Sequence, residues 1–168
     1  MRAVSLLMVA ALWGGLAQVG PVVAQGHDDN GNVAYVFDLI NAEREDRGCD
    51  PLNFDPRLAR AAQRHADAMA RQNFFAHKGP DGTSAGQRAI SSGYRWIMVA
   101  ENIAAGHMRP DDVVEGWMNS PGHRANILSC TLTDTGIALS YQPDDRPLPG
   151  QRQAYRWYWV QVFARPAR

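Results

Sequence analysis

Residues 117–128 read WMNSPGHRANIL, and this stretch decides how the chain is interpreted. Ser120 followed by Pro121 is typical of a helix start, with a capping residue before a proline in the first helical position. A short helix is therefore predicted through Leu128. His123 lies close to its beginning, and loops at the ends of elements are where functional side chains collect. We therefore take His123 as a candidate site residue.

Helices are also predicted on the N-terminal side of this stretch. The first should run from Asn32, as its cap, to Gly48, which would end it. Its apolar face is formed by Val33, Val36, Phe37 and Ile40. The second begins at Asp55-Pro56, again a cap followed by proline. Its buried stripe consists of Leu58, Ala62, His65, Ala66 and Met69. Shorter helices are predicted over residues 84–91 and 110–118.

The C-terminal part of the chain has a different character. Residues 136–141 and 155–164 are rich in β-branched and aromatic side chains, which predicts two strands. Residues 73–83 contain two glycines and a proline close together, which predicts a loop. Helices early and strands late favour an α+β layered fold over a parallel βαβ winding.

The first residues have the order of a secretory signal peptide. Arg2 supplies the positive charge, an apolar or small stretch runs from Val4 to Ala17, and small residues precede Gln25. The alternative, a membrane anchor, would need about 20 consecutive apolar residues, and Gln18 interrupts the run. We therefore expect residues 1–24 to be a cleaved signal peptide and residues 25–168 to form one secreted domain with no transmembrane segment.

Charge and cysteine content narrow the classes of function. The formal net charge is +0, which gives no electrostatic case for binding nucleic acid or an anionic membrane. Cys49 and Cys130 are the only cysteines. After export they are expected to form one disulfide, since extracellular compartments are oxidising. The alternative is two buried free thiols.

Three side chains stand out as candidates for chemistry. His77 and His123 each lie beside turn residues, and Glu101 is flanked by apolar residues in Val-Ala-Glu-Asn-Ile. Burying a carboxylate without a partner is costly, so Glu101 should have a hydrogen-bonding or cationic partner. Two imidazoles and a carboxylate can bind a divalent metal or act in acid–base catalysis. His65, on an apolar helix stripe, is interpreted as a core histidine instead.

These residues fall within blocks that resemble a known family. In chain order, the blocks are Leu39–Arg44, His77, Ala100–Ala104, Trp117–Leu128 and Tyr158–Phe163. In this order and spacing they are similar to the CAP superfamily (cysteine-rich secretory, antigen 5 and pathogenesis-related group 1 proteins), in its bacterial, SCP-like extracellular form. The resemblance implies a three-layer α-β-α sandwich with a central antiparallel sheet. It also implies an open cleft with two histidines and two acidic residues, where some members bind zinc or another divalent ion.

The motif match assigns three of the four cleft positions. His77 and His123 would be the histidines and metal ligands, and Glu101 one of the acids. Eukaryotic members have a glutamate just after the tryptophan of the third block, where this chain has Asn119 and Ser120. Glu115 is a possible substitute, although residues two apart point to different faces of a helix.

Three functions from different classes remain open. The first is a secreted binding module whose cleft takes a lipid, a peptide or a cell-wall component. The second is a metal-dependent, protease-like hydrolase in which Glu101 activates a metal-bound water. The third is an extracellular structural or interaction protein. The resemblance favours the first and third. No nucleophile is evident, because Ser120 precedes Pro121 and is better interpreted as a helix cap.

Overall fold

The fold is described from a computed structural model, which covers residues 29–167. The predicted signal peptide, its cleavage site and His27 lie outside these residues. The described chain forms five helices and four strands. The helices are α1 (Asp29–Glu45), α2 (Pro56–Gln72), α3 (Ala85–Ser91), α4 (Pro110–Asn119) and α5 (Pro121–Ile127). The strands are β1 (Asn53–Phe54), β2 (Trp96–Ala105), β3 (Asp134–Tyr141) and β4 (Trp157–Pro166).

The helix boundaries follow the local sequence signals in all but one case. Asp55 caps α2 by accepting a hydrogen bond from the N–H of Arg57 at 2.8 Å, with Pro56 in the first turn. Ser84 and Gln87 form a reciprocal capping box at the start of α3. The prediction that Asn32 caps α1 is wrong, because Asn32 lies inside the helix, which already includes Asp29. Gly48 follows α1 with a φ of 77°, as a helix-ending glycine should.

The four strands form one sheet in the order β1-β3-β4-β2. Strands β3 and β4, and β4 and β2, pair antiparallel, whereas the two-residue β1 pairs parallel with β3. The pattern of residues had predicted β3 and β4 but not β2. The reason is that helices cover both faces of the second half of β2, so its Ile103 and Ala104 are both buried and the sequence shows no alternation of apolar and polar residues.

Helices cover both faces of the sheet, so the α+β three-layer sandwich is confirmed. One core lies between the sheet and α1, α4 and α5, and includes Val36, Ile40, Trp117, Trp159 and Phe163. The other lies between the sheet and α2 and α3, and includes Leu58, Met69, Tyr158, Val160 and Val162. Residues of β4 alternate between the two cores, as the two-residue period of a strand requires. No helix among residues 29–167 is long and apolar enough to cross a membrane.

A glycine in β3 sets how closely α2 packs on the sheet. A Cβ atom placed on Gly136 would lie 2.0 Å from the main-chain nitrogen of Ala59 and 2.2 Å from the carbonyl carbon of Leu58. Because the neighbouring atoms are backbone, no side-chain rotation could make room. The absence of a side chain at Gly136 therefore allows α2 to lie directly on the sheet.

A disulfide and a buried arginine hold the end of α1 to the segment after α5. Cys49 and Cys130 are bonded, with Cα atoms 5.0 Å apart, which confirms the predicted pair. Beside them, the buried Arg44 donates to four main-chain carbonyl groups, those of Asp50, Ile127, Ser129 and Leu132, at 2.7–3.1 Å. These contacts fix the chain immediately after α5.

Candidate functional site

The candidate site lies at the β2 edge of the sheet, where the two helical layers approach each other. Successive residues of β2 face opposite layers. Glu101 points toward the α2–α3 layer, where its carboxylate meets Arg88, and Asn102 points toward the α4–α5 layer, where it meets His123 and Asn126. The Ala-Glu-Asn-Ile-Ala block thus contributes polar groups to both sides of the sheet from one strand.

Glu101 is buried but has two charged or polar partners. Its side chain is only 4% exposed. One oxygen, Oε2, accepts a hydrogen bond from Nη2 of Arg88 at 2.7 Å. The other, Oε1, lies 3.0 Å from Nδ1 of His77. Because a carboxylate paired with a guanidinium can only accept, Nδ1 of His77 carries the proton in this contact. The predicted need for a partner is confirmed, and both oxygens are occupied.

The cation beside Glu101 is Arg88, which the sequence analysis missed. Arg88 is buried and lies on α3. Besides Glu101, it donates to the carbonyl oxygens of Thr83 at 2.8 Å and His77 at 3.0 Å. Arg124, the arginine of the WMNSPGHRANIL stretch, is exposed and donates to the carbonyl of Met118 instead. No local sequence pattern distinguishes Arg88, because its burial depends on the packing of α3 against β2.

His77 is held in position from two directions while its ring stays accessible. Arg88 binds its carbonyl group, and Glu101 binds Nδ1. Ala76, the residue before His77, is also held, because its carbonyl oxygen lies 2.8 Å from Nε2 of His65. His65 is buried on α2, as predicted for a core histidine. The side chain of His77 is nevertheless 57% exposed. Its Nε2 is therefore the atom free of the Glu101 contact and available to a ligand.

His123 lies on α5, in the opposite helical layer, and its carbonyl group contacts β2. Asn102 donates from Nδ2 to the carbonyl oxygen of His123 at 3.1 Å, and Asn126 donates to Oδ1 of Asn102 at 2.8 Å. These amides hold the start of α5 against β2. Burial, and to a smaller extent the charge of nearby His77, lower the pKa of His123. Its ring is therefore neutral near neutral pH.

The remaining predicted positions lie apart from this cluster. Glu115 is exposed on α4 and lines a depression with Glu43, Asp111 and Met118, between α1 and α4. Ser120 occupies the N-cap position of α5 as expected, but its side chain makes no capping hydrogen bond. Within residues 29–167, no group of three or more His, Cys, Asp or Glu side chains is arranged to hold a metal ion.

A groove of about 370 Å³ opens beside His77 and Glu101. Its apolar part is lined by Ala85, Gly86, Trp96, Val99 and Ala100. His77, Lys78, Ser84 and Glu101 form its polar part. The indole of Trp96 is fixed as one wall, because its Nε1 donates to the carbonyl of Gly86 at 3.0 Å and the ring packs where a Cβ on Gly86 would be. The groove is therefore formed before any ligand arrives.

The three-layer fold and the antiparallel core of its sheet are those of a CAP-like domain. Residues 37–163 match the model of the cysteine-rich secretory protein family, CAP. The chain belongs to this family, and the resemblance seen in the sequence is confirmed.

Individual relatives agree with this assignment. The chain is 39% identical over 102 residues to the uncharacterized protein YkwD of Bacillus subtilis, a match that covers 61% of this chain and 40% of that protein. An extracellular SCP-domain protein of Bacillus anthracis has a similar structure, with a TM-score of 0.71 and 29% identity over 87% of this chain and 45% of the other.

A third similarity concerns the fold alone. An outer surface protein of Borrelia burgdorferi has a TM-score of 0.73 at 19% identity, and the match covers 83% of this chain and 96% of that one. Both structural relatives are named as extracellular or surface proteins. The chain spans less than half the length of YkwD and of the Bacillus anthracis protein.

Proposed function

We propose that this domain is an extracellular binding module whose ligand site is the groove along β2, with a divalent metal ion held at its polar end by His77 and His123. The arrangement of Glu101 carries the proposal. Glu101 orients His77 through Nδ1, which leaves Nε2 of this half-exposed, groove-lining side chain free of the Glu101 contact. A histidine fixed by a carboxylate behind it is the usual arrangement of a metal-binding imidazole.

The chemistry of the side chains suits an open site for zinc. Neutral imidazoles are good ligands for zinc, and the lowered pKa of His123 keeps its ring neutral. Two protein ligands would leave the other coordination positions to water or to the bound molecule. Glu101 would act behind the site as the acceptor that fixes His77, since its other oxygen is occupied by Arg88.

The same contacts favour binding over hydrolysis. A general base must have an oxygen or nitrogen within reach of the proton that it removes. Both oxygens of Glu101 are already engaged, by His77 and Arg88, and its side chain is buried. Glu101 is thus better placed to position His77 than to activate a water. The export expected from residues 1–24 is consistent with a module that acts outside the cell.

Calorimetric titration of the chain lacking residues 1–24 with zinc tests the metal site. Wild type should bind one ion per chain, and His77→Ala and His123→Ala should each abolish the heat. His107→Ala is the matched control, because His107 lies outside the cluster, beside Gly116 of α4, and should leave binding unchanged. Affinity should fall at acidic pH, since a protonated imidazole cannot ligate, and the lowered pKa of His123 puts the protonation of this ligand below about 6.5. Equal heats from all four proteins would place the metal elsewhere and overturn the assignment.

A screen of small peptides, fatty acids, sterols and peptidoglycan fragments tests the groove. The indole N–H resonance of Trp96 should shift with a molecule that occupies it, since this side chain forms a wall. Ala85→Trp should abolish the shift by filling the groove, whereas Ile90→Trp, on an exposed part of the same helix that does not line the groove, should not. Binding that Ala85→Trp leaves intact would show that the ligand site lies elsewhere.

A further inference from the structure

β2 is an edge strand with one protected half and one open half. Among residues 29–167 it pairs only with β4, on one side. On its free side, the carbonyl oxygen of Glu101 accepts from Nδ2 of Asn126 at 3.4 Å, and that of Ile103 accepts from Nε1 of Trp117 at 3.2 Å. Side chains from α4 and α5 therefore bond two carbonyl groups in the second half of this edge. An edge strand with unsatisfied groups would otherwise be open to pairing with another chain.

In the first half of β2, around Val99, no side chain of α4 or α5 is hydrogen-bonded to the free edge in the described residues. Main-chain groups along a strand alternate between its two edges, so Val99 presents its N–H and C=O on the same side as Glu101 and Ile103. Among the residues that the structure describes, none hydrogen-bonds to Val99 on that side. Edge strands are usually protected by charged residues or proline. Here the neighbouring Ile97 and Met98 are instead 58% and 42% exposed.

The groove lies directly against this open half. Val99, Ala100 and Trp96 of β2 form one side of it, and Ala85 and Gly86 of α3 form the other. A strand laid along β2 would place alternate side chains toward this groove, since side chains of a strand alternate between faces. The combination of an unpaired strand edge and an adjacent apolar groove is what recognition of a peptide by strand addition requires.

The charges at the polar end of the groove favour an acidic partner. The charge of Glu101 is balanced by Arg88 at 2.7 Å. Lys78 lines the groove, and in the region covered by residues 29–167 it forms no ion pair. The net charge presented to a ligand at this end is therefore positive, which complements a carboxylate.

We infer that the open half of β2 binds an extended peptide, which pairs with the main chain of Val99, places an apolar side chain in the groove and presents a carboxylate to Lys78. This inference rests on the proposed binding function and names its ligand class. The rigid wall formed by Trp96 supports it, because a preformed groove costs less to occupy than one that must be ordered on binding.

Selection from a random seven-residue peptide library, followed by synthesis of the enriched sequences, tests the inference. Peptides enriched on wild type but not on Ala85→Trp should share an apolar position and an acidic one. Binding should shift the amide resonance of Val99. Methylation of the peptide nitrogen that pairs with Val99 should weaken binding at least about tenfold, as loss of a main-chain hydrogen bond in a buried strand pairing implies. Lys78→Gln should weaken binding of the same peptides, with Arg124→Gln as the exposed control.

Several outcomes would overturn the inference. The first is a selection in which wild type enriches no peptides that Ala85→Trp does not also enrich. The second is equal binding by all peptides that carry a single N-methyl group, whatever its position. The third is self-association of the chain through β2, because a second copy of the chain would then be the occupant. The proposed metal site fails separately. His123→Ala, which does not line the groove, should lose zinc while retaining a Val99 shift on peptide addition, and Ala85→Trp should lose peptide while retaining zinc.

Discussion

Arg88 and Glu101 form an ion pair in which neither side chain is more than 7% exposed, with Nη2 and Oε2 2.7 Å apart. The pair joins α3 to β2, and the same guanidinium holds the loop before α3 through the carbonyl groups of His77 and Thr83. Removing one partner of a buried pair leaves the other charge unsatisfied, which costs far more than the net contribution of the pair itself.

Arg88→Met should therefore lower the free energy of unfolding by about 3 kcal/mol, measured by urea denaturation. Met retains much of the side-chain volume, so the loss reports the unpaired carboxylate and the lost hydrogen bonds. The double variant Arg88→Met/Glu101→Gln should be more stable than Arg88→Met alone, because no buried charge then remains. Arg124→Met, at an exposed arginine, should change stability by less than about 0.5 kcal/mol. An Arg88→Met protein as stable as this control would show that the pair has no structural role.

The sequence was sufficient to predict the helices of this fold and two of its strands. The cap at Asp55 and the helix end at Gly48 are local signals, and the structure follows them. β2 was not predicted because its second half is covered on both faces and contains Glu101 and Asn102, both buried polar residues. These side chains are tolerated only because residues distant in sequence satisfy them. No local pattern shows this.

The candidate site illustrates the same limit. The motif resemblance pointed to His77, Glu101 and His123, and the need for a hydrogen-bonding or cationic partner of Glu101 followed from the cost of burying a charge. The identity of that partner did not follow. Arg88 and Arg124 both lie on short helices, and only the packing of α3 against β2 brings Arg88 to the carboxylate. The position of Glu115 near α1 likewise depends on how α4 is rotated on the sheet.

The close packing of α2 on β3 leads to a second prediction. Gly136→Ala should lower the free energy of unfolding by about 3 kcal/mol or more, because the added Cβ meets main-chain atoms of Leu58 and Ala59 that cannot rotate away. Gly122→Ala is the matched control, since a Cβ there meets no atom within 4 Å. It should stay within about 1 kcal/mol of wild type. Equal stabilities of the two variants in urea denaturation would show that α2 can move away from the sheet at little cost.

The hydrogen bonds of Arg44 lead to a third prediction. Arg44→Lys should cost about 3 kcal/mol, because one ammonium group cannot reach the four carbonyl oxygens that the planar guanidinium spans. Arg47→Lys, at an exposed position just after α1, is the control and should be nearly neutral. Both variants are compared by urea denaturation with the Cys49–Cys130 disulfide intact. A loss seen only after reduction would mean that the disulfide alone holds this region.

The burial of His65 leads to a prediction about pH. The pKa of His65 is lowered, mainly by burial. The charge of Glu101 raises this pKa, whereas the charges of Arg88 and His77 lower it further. The folded protein therefore keeps the ring neutral at a pH where the unfolded chain, with a pKa of about 6.5, has already bound a proton. Because the unfolded state then binds more protons, the free energy of unfolding should fall as the pH drops below about 6.5 and level off below the folded pKa.

His65→Gln should reduce this dependence, since Gln does not titrate and its amide can still donate toward the carbonyl of Ala76. The measurement is the free energy of unfolding in urea at about pH 7.5 and about pH 5, on either side of the ordinary histidine pKa. The difference between the two pH values should be smaller in His65→Gln than in wild type. The pKa of His123 is also lowered, so His123→Gln is the control that retains the contribution of His65. If wild type and His65→Gln lose the same stability on acidification, His65 is not the group that titrates, and its ring must keep an ordinary pKa in the folded protein.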